Sequence, residues 1–324
     1  MMIMKRYGNL FDKICDIENI KLAHKNARKK KTHYKEVKEV DKNVDYYCNE
    51  IRNMLINKSF KNSPYEIFIK NDKGKRREIY KLPYYPDRII HHAIVQIVEP
   101  IWKKTLIADT YQSIKGRGLH KAIRKIQRNV RVSDKKLYYL KMDINKYYPS
   151  IQNDTLKQII RRKIKCKDTL QLMDEIVDST IGVPIGNYLS QYFGNIYLSS
   201  VDHEVKEKYR IKNYYRYCDD IVLIHSSKEM LHIMRVYTEI KLRKYGLTIK
   251  ANYCIRPIDE GLDFLGVVIY SRYSLIRKKI KYNCVFKVKN GCSIGVIASY
   301  KGWLLMCDSY NLRKKYNIYK EKTC

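Results

Sequence analysis

Three carboxylates stand out from their surroundings. Asp143 closes the run Leu137-Tyr138-Tyr139-Leu140-Lys141-Met142, and Asp219 and Asp220 sit between Tyr214-Tyr215-Arg216-Tyr217-Cys218 and Ile221-Val222-Leu223-Ile224. The flanking residues are apolar, β-branched or aromatic, so Asp143 ends one strand and the acid pair occupies a turn between two more. Acids at the tips of apolar strands suit metal-assisted phosphoryl transfer. Mg2+ prefers hard oxygen ligands and keeps several waters, and two ions about 4 Å apart are held by a few carboxylates and the substrate's own phosphates. One ion would activate an attacking hydroxyl and the other would steady a leaving pyrophosphate. Three acids gathered at one place repel one another without cations, which favours divalent metal over a general acid–base pair. Asp-Asp pairs also occur in ordinary surface turns, so the reading gains its weight from Asp143, from a basic hairpin and from the charge of the chain.

The hairpin is Tyr65-Glu66-Ile67-Phe68-Ile69-Lys70 and Arg76-Arg77-Glu78-Ile79-Tyr80, joined by Asn71-Asp72-Lys73-Gly74-Lys75; Asn, Asp and Gly supply the turn. Pro83 and Pro86 precede a helix over 88–98, apolar at 90, 94, 97 and 98. His91 and His92 in it have no third ligand at metal spacing, so no metal is assigned there. The stripe Leu189, Tyr192, Phe193, Ile196 and Tyr197 predicts one helix over 185–201. Met230, Ile233, Met234, Tyr237 and Ile240 predict another, stopped by Gly246 before Leu247-Thr248-Ile249. This order predicts an α+β fold with an antiparallel sheet covered on one face, and a helical terminal lobe after about residue 290.

Of the 324 residues, 66 are Lys or Arg and 33 are Asp or Glu, a net charge of +33 that few small-molecule enzymes carry. Polyanions are the natural partners, because phosphates neutralised by Lys or Arg release counterions. With 45% hydrophobic and 12% aromatic residues the basic groups decorate a folded body rather than a disordered tail, and the run Arg28-Lys29-Lys30-Lys31 reads as a solvated face. Nine cysteines without a CxxC pair argue against zinc ribbons and a disulfide framework. No apolar stretch is long enough for a signal peptide or a membrane span, so a cytoplasmic protein without a membrane partner is expected.

The segment Lys141-Met142-Asp143-Ile144-Asn145-Lys146-Tyr147-Tyr148-Pro149-Ser150-Ile151 resembles motif A of reverse transcriptases, and Tyr217-Cys218-Asp219-Asp220 resembles their YxDD motif C. Between them, Gly182-Val183-Pro184-Ile185-Gly186-Asn187-Tyr188-Leu189-Ser190-Gln191 is similar to motif B in the IGxxxSQ form of diversity-generating retroelement reverse transcriptases. Further similarity runs through Pro86–Ile94, Ser113–Gly118, Leu262–Gly266 and Ser299–Leu304, in the family's order. The resemblance implies a right-hand polymerase: N-terminal extension and fingers over 1–135, a ferredoxin-like palm over 136–270, and a short helical thumb over 271–324.

It also implies roles. Asp143, Asp219 and Asp220 map onto the catalytic acids; Asp143, Asp219 and the Ile144 carbonyl map onto the ligands of two Mg2+ ions, for which Mn2+ is the alternative. Tyr148 falls where the family places an aromatic gate against the 2′-hydroxyl. Lys75, Arg76 and Arg77 fall where a fingers hairpin grips the incoming deoxynucleoside triphosphate, a task suited to guanidinium forks. Gly186 and Gln191 belong to the substrate-binding motif B. Ile185 stands where many reverse transcriptases carry Gln; an apolar side chain there cannot hydrogen-bond the nascent pair, which implies selective misincorporation opposite template adenines. Cys218 is small for its motif position, and no His is placed to activate it as a nucleophile.

The implied partners are a template-repeat RNA, the cDNA and target DNA, and a small basic accessory variability determinant that assembles as a pentamer, in a bacterial or phage setting. The other readings are a faithful enzyme of retron or group II intron type, disfavoured by PIGNYLSQ, and a non-catalytic RNA-binding scaffold, disfavoured by the intact acids.

Overall fold

The computed structural model describes residues 5–72 and 74–318, with the backbone alone for Asp72 and Lys75. The chain forms two compact units, each assembled from three stretches: one from residues up to Ala108, Ile144–His203 and Lys241–Thr248, the other from Asp109–Asp143, Glu204–Ile240 and residues from Ile249 onward.

The first unit is largely helical. Asp16 caps the helix Ile17–Ala27, its side chain accepting from the amides of Glu18 and Asn19. The helix Ile89–Lys103 is buried on every side, through Ile90, His91, Ala93, Ile94, Val95 and Val98 among others, as expected of a core helix. Asn19 Nδ2 bonds the Ala93 carbonyl at 3.2 Å and Gln96 Nε2 bonds Asn19 Oδ1 at 2.8 Å, tying the two helices together. The basic hairpin is β1 (Glu66–Asp72) and β2 (Lys75–Lys81), antiparallel with Asp72 opposite Lys75.

The single helix expected over 185–201 is broken. Helices span Ser190–Tyr197 and Ser199–His203, and Ile185–Leu189 is not helical. Gly186 has φ +123°, outside any helix, and the Asn187 side chain accepts the Leu189 amide at 2.9 Å, so the helix starts only at Ser190.

The second unit holds a five-stranded sheet of β3 (Thr110–Tyr111), β4 (Tyr138–Asp143), β5 (Asn213–Tyr217), β6 (Asp220–His225) and β7 (Cys254–Pro257), in the order β3-β5-β6-β4-β7. Only β3 pairs in parallel, a departure from the antiparallel expectation that comes from a strand of two residues. A second sheet joins β8 (Leu262–Phe264), β9 (Val267–Ile269) and β10 (Ser274–Ile276). Tyr111, Tyr139, Tyr215, Val222 and Ile224 pack with Ile123, Ile126 and Val130 of the helix Leu119–Arg131 and with Phe264 and Val267. Each aliphatic side chain so buried contributes about 1.5–3 kcal/mol.

The central strands are buried on both faces, since Leu140 and Leu223 are as enclosed as Val222. The unbroken apolar run Ile221–Ile224 is the sequence form of such a strand. The C-terminal helices begin at Lys278, earlier than expected, and enclose Ile276, Cys284, Leu304 and Ile318. No helix among the described residues is long and apolar enough to cross a membrane.

Candidate active site

The three acids all belong to the second unit. The β4–β6 register sets Asp143 directly opposite Asp220, and the β5–β6 register sets Tyr217 opposite Asp220. Cys218 and Asp219 are therefore the two central residues of a hairpin turn. Cys218 has φ +58°, a backbone conformation that ordinarily favours Gly. A non-glycine residue held there costs about 1–3 kcal/mol, so neighbouring contacts must maintain it.

Like charges placed directly across a ladder repel, and burial penalises each charge further. The Asp220 carboxyl is pushed up to about 6, by burial first and then by the Asp219 and Asp143 charges, against the opposing Lys141 and Lys250 ammoniums. Asp219 is likewise raised, by burial above all and by Asp143. Lys250 braces Asp143 twice: its Nζ donates to Oδ1 at 2.6 Å and its amide to the Asp143 carbonyl at 2.8 Å. Lys141 lies on the same face of β4 as Asp143 and donates to the Asp263 carbonyl at 2.7 Å.

Among the described residues no three His, Cys, Asp or Glu side chains form a complete set of metal ligands. The donor chemistry of the acids still fits Mg2+: hard carboxylate oxygens, those of Asp219 and Asp220 with a raised affinity for protons that a divalent charge would relieve, with waters and substrate phosphates to complete the shell.

A titration follows from these shifts. Without divalent ions, wild-type stability falls relative to Asp220→Asn as pH rises from about 4 to about 6, because the folded chain keeps a proton on Asp220 that the unfolded chain has released. Above that window the difference is constant. Melting midpoints of the two proteins across pH check this, and a difference that does not vary with pH contradicts it.

The other expected site residues lie in the first unit. Tyr148 opens a short 3₁₀ turn, Tyr148–Ser150, and its carbonyl accepts the Val183 amide at 2.9 Å. The Ile185 carbonyl accepts the Tyr80 amide at 2.8 Å, and a Cβ on Gly186 would lie 2.5 Å from the Tyr80 carbonyl oxygen. Only glycine permits that approach, so β2 and the 182–186 segment are held as one piece. Arg76 and Arg77 are exposed on β2, the Lys75 side chain lies outside the described residues, and Gln191 is exposed in the first turn of Ser190–Tyr197. The unit thus brings Tyr148, Ile185, Gly186 and the basic strand together through backbone bonds.

Two residues escape the sequence reading. Lys250 is 107 positions from its partner Asp143; its one signal is a lysine ending Leu247-Thr248-Ile249. Gly194, inside a helix, would place a Cβ 3.0 Å from the Tyr148 ring and 3.3 Å from the Tyr147 ring, so its bare backbone makes room for both.

Comparison with known proteins bears on this arrangement. The family model described as reverse transcriptase (RNA-dependent DNA polymerase) matches residues 68–269. Protein YkfC of Escherichia coli strain K12 is 24% identical, the match covering 67% of each protein. Among solved structures, apo telomerase from Candida tropicalis superposes with a TM-score of 0.52 at 14% identity, over 72% of this chain and 53% of that one. Telomerase from Candida albicans, solved with a fragment of telomeric RNA, gives 0.53 at 13% identity, over 82% and 56%. The chain spans about half the length of the telomerase chains it matches.

Proposed function

The chain belongs to the reverse transcriptase family of RNA-directed DNA polymerases, and from that premise we propose that it copies a template-repeat RNA into cDNA with selective errors opposite adenine, as a diversity-generating retroelement enzyme does. The observation that carries the polymerase reading is the pairing of Asp143 with Asp220 beside the turn bearing Asp219. The observation that favours the mutagenic subtype is Ile185, an apolar side chain on a segment pinned to β2.

In this mechanism Asp143, Asp219 and the Ile144 carbonyl hold two Mg2+ ions, with Asp220 as the third acid. The ions supply Lewis-acid charge stabilisation and a more acidic 3′-hydroxyl. Lys250 keeps the Asp143 carboxylate oriented. Lys75, Arg76 and Arg77 bind the triphosphate, Tyr148 excludes a 2′-hydroxyl, and Gly186 and Gln191 border the nucleotide. The mixed helix and sheet fold suits a right-hand polymerase with fingers, ferredoxin-like palm and helical thumb. Partners in this reading are the template RNA, cDNA and target DNA, dNTPs and the pentameric accessory protein, in a bacterial cytoplasm. The charge of +33 suits such polyanions, and an RNA-bound telomerase of similar fold supports the RNA partner.

Primer extension on a mixed-sequence RNA with Mg2+ and dNTPs, followed by sequencing, tests the proposal against an Asp219→Asn control. Errors concentrated opposite adenine are expected. Ile185→Gln restores a hydrogen-bonding group at the nascent pair, worth about 1 kcal/mol, and should lower those errors about 2- to 10-fold. Faithful copying by the wild type would move the assignment to a retron or intron lineage, and no synthesis even with candidate RNA and accessory protein would favour the scaffold.

A further inference from the structure

The side chain of Arg216, in the middle of β5, is completely buried. Burying a guanidinium is costly, and an apolar side chain of similar volume usually fills such a site equally well or better. Its placement therefore calls for a task that only a donor can perform. Arg216 Nη1 donates to the Cys218 carbonyl oxygen at 3.2 Å. That carbonyl belongs to the peptide whose amide is Asp219's, so the bond fixes the plane of the link between the left-handed Cys218 and Asp219.

Arg216 is itself held. Its amide donates to the Asp109 carbonyl at 3.0 Å. The buried Asp109 carboxylate accepts from Tyr111 Oη at 2.9 Å, from Lys125 Nζ at 2.5 Å and from Lys206 Nζ. A braced carboxylate thus supports the strand from which the guanidinium reaches the turn.

We propose that Arg216 is a positioning residue for Asp219, holding the strained Cys218 peptide in the conformation that presents the catalytic turn. The inference rests on the polymerase reading of Asp219. It predicts a specific rescue: if the guanidinium compensates for a left-handed non-glycine residue, glycine at that position should make the guanidinium less necessary.

The test is a double-substitution cycle of Arg216→Met and Cys218→Gly, read by kcat, by KM for primer–template, by Mn2+ affinity from electron paramagnetic resonance, and by melting midpoint. Arg216→Met should lower kcat and weaken Mn2+ binding about 10- to 100-fold, the usual effect of losing a residue that orients a metal ligand, with KM unchanged. Cys218→Gly added to Arg216→Met should recover at least about fivefold of each, and should give no such gain when Arg216 is present. Equal losses in the single and double variants, or an Arg216→Met protein as active as wild type, would overturn the proposal. Arg216→Lys repeats the cycle should Arg216→Met not fold. Loss of cooperative melting in both Arg216 variants also overturns it, since the residue would then serve the whole fold. If the wild type incorporates no nucleotide, the polymerase reading fails, while the Mn2+ titrations still decide the role of Arg216.

Discussion

Asp219→Asn is expected to lower nucleotide incorporation at least about 1000-fold while raising the melting midpoint in divalent-free buffer. The substitution keeps the shape of the side chain and removes its charge. A carboxylate that holds a catalytic cation contributes several kcal/mol of transition-state charge stabilisation, and about 4 kcal/mol corresponds to three decades in rate. The gain in stability has the same electrostatic origin. Burial and the neighbouring Asp143 charge oppose ionisation of Asp219, so a neutral amide relieves repulsion that the wild type carries at neutral pH. The increase in midpoint on adding Mg2+ should shrink accordingly. Extension assays together with melting curves with and without Mg2+ check all three, and an active Asp219→Asn protein would remove Asp219 from the mechanism.

Tyr148→Ala should reduce the preference for deoxynucleotides over ribonucleotides about 10- to 100-fold, with kcat for deoxynucleotides retained. The Tyr148 backbone is tied to Val183 at 2.9 Å, and its ring lies against the helix at Gly194, where an added Cβ would come within 3.0 Å. The Tyr147 ring lies beside it, at 5.4 Å between centroids, with its hydroxyl on the Gly194 carbonyl. With Gly194 and the Tyr147 ring packed against it, forcing an extra hydroxyl onto the Tyr148 ring costs about 1–3 kcal/mol, the source of the expected factor. Competition between dNTP and rNTP on one template measures it. Unchanged discrimination would leave Tyr148 as a packing residue.

Local pattern carried much of this architecture. The apolar runs before Asp143 and on either side of Cys218-Asp219-Asp220 become β4, β5 and β6, and the basic hairpin becomes β1 and β2, with Asn71, Asp72 and Lys75 in the strands rather than in the expected turn and Lys73 outside the described residues. What was not legible is non-local or conformational. The two-residue β3 is too short to show a period, and Lys250 meets Asp143 only through the folded sheet. The helix expected over 185–201 has the right apolar stripe at its end, yet Gly186 takes a backbone conformation that no periodicity announces. Gly194 reads as a mere weak point in a helix until the rings beside it are placed. Arg216 stands out in the sequence by its place just before the acid turn, which leaves support of the sheet and contact with primer phosphate equally open, and its burial is what the folded chain adds.

The interleaving of the two compact units has a consequence for biosynthesis. The helical unit takes its last stretch from Lys241–Thr248, and the sheet-bearing unit needs residues beyond Ile249 for β7. On the ribosome, neither can close before roughly three quarters of the chain has emerged. The apolar strand β4 therefore waits for both of its partners, β6 and then β7, and slow closure of distant contacts is the condition under which nascent chains aggregate. The dense positive charge distributed along the same polypeptide keeps those waiting segments apart by mutual repulsion and offers them to polyanions. Newly made protein should accordingly depend on chaperones or bound nucleic acid for its yield more than on its final stability.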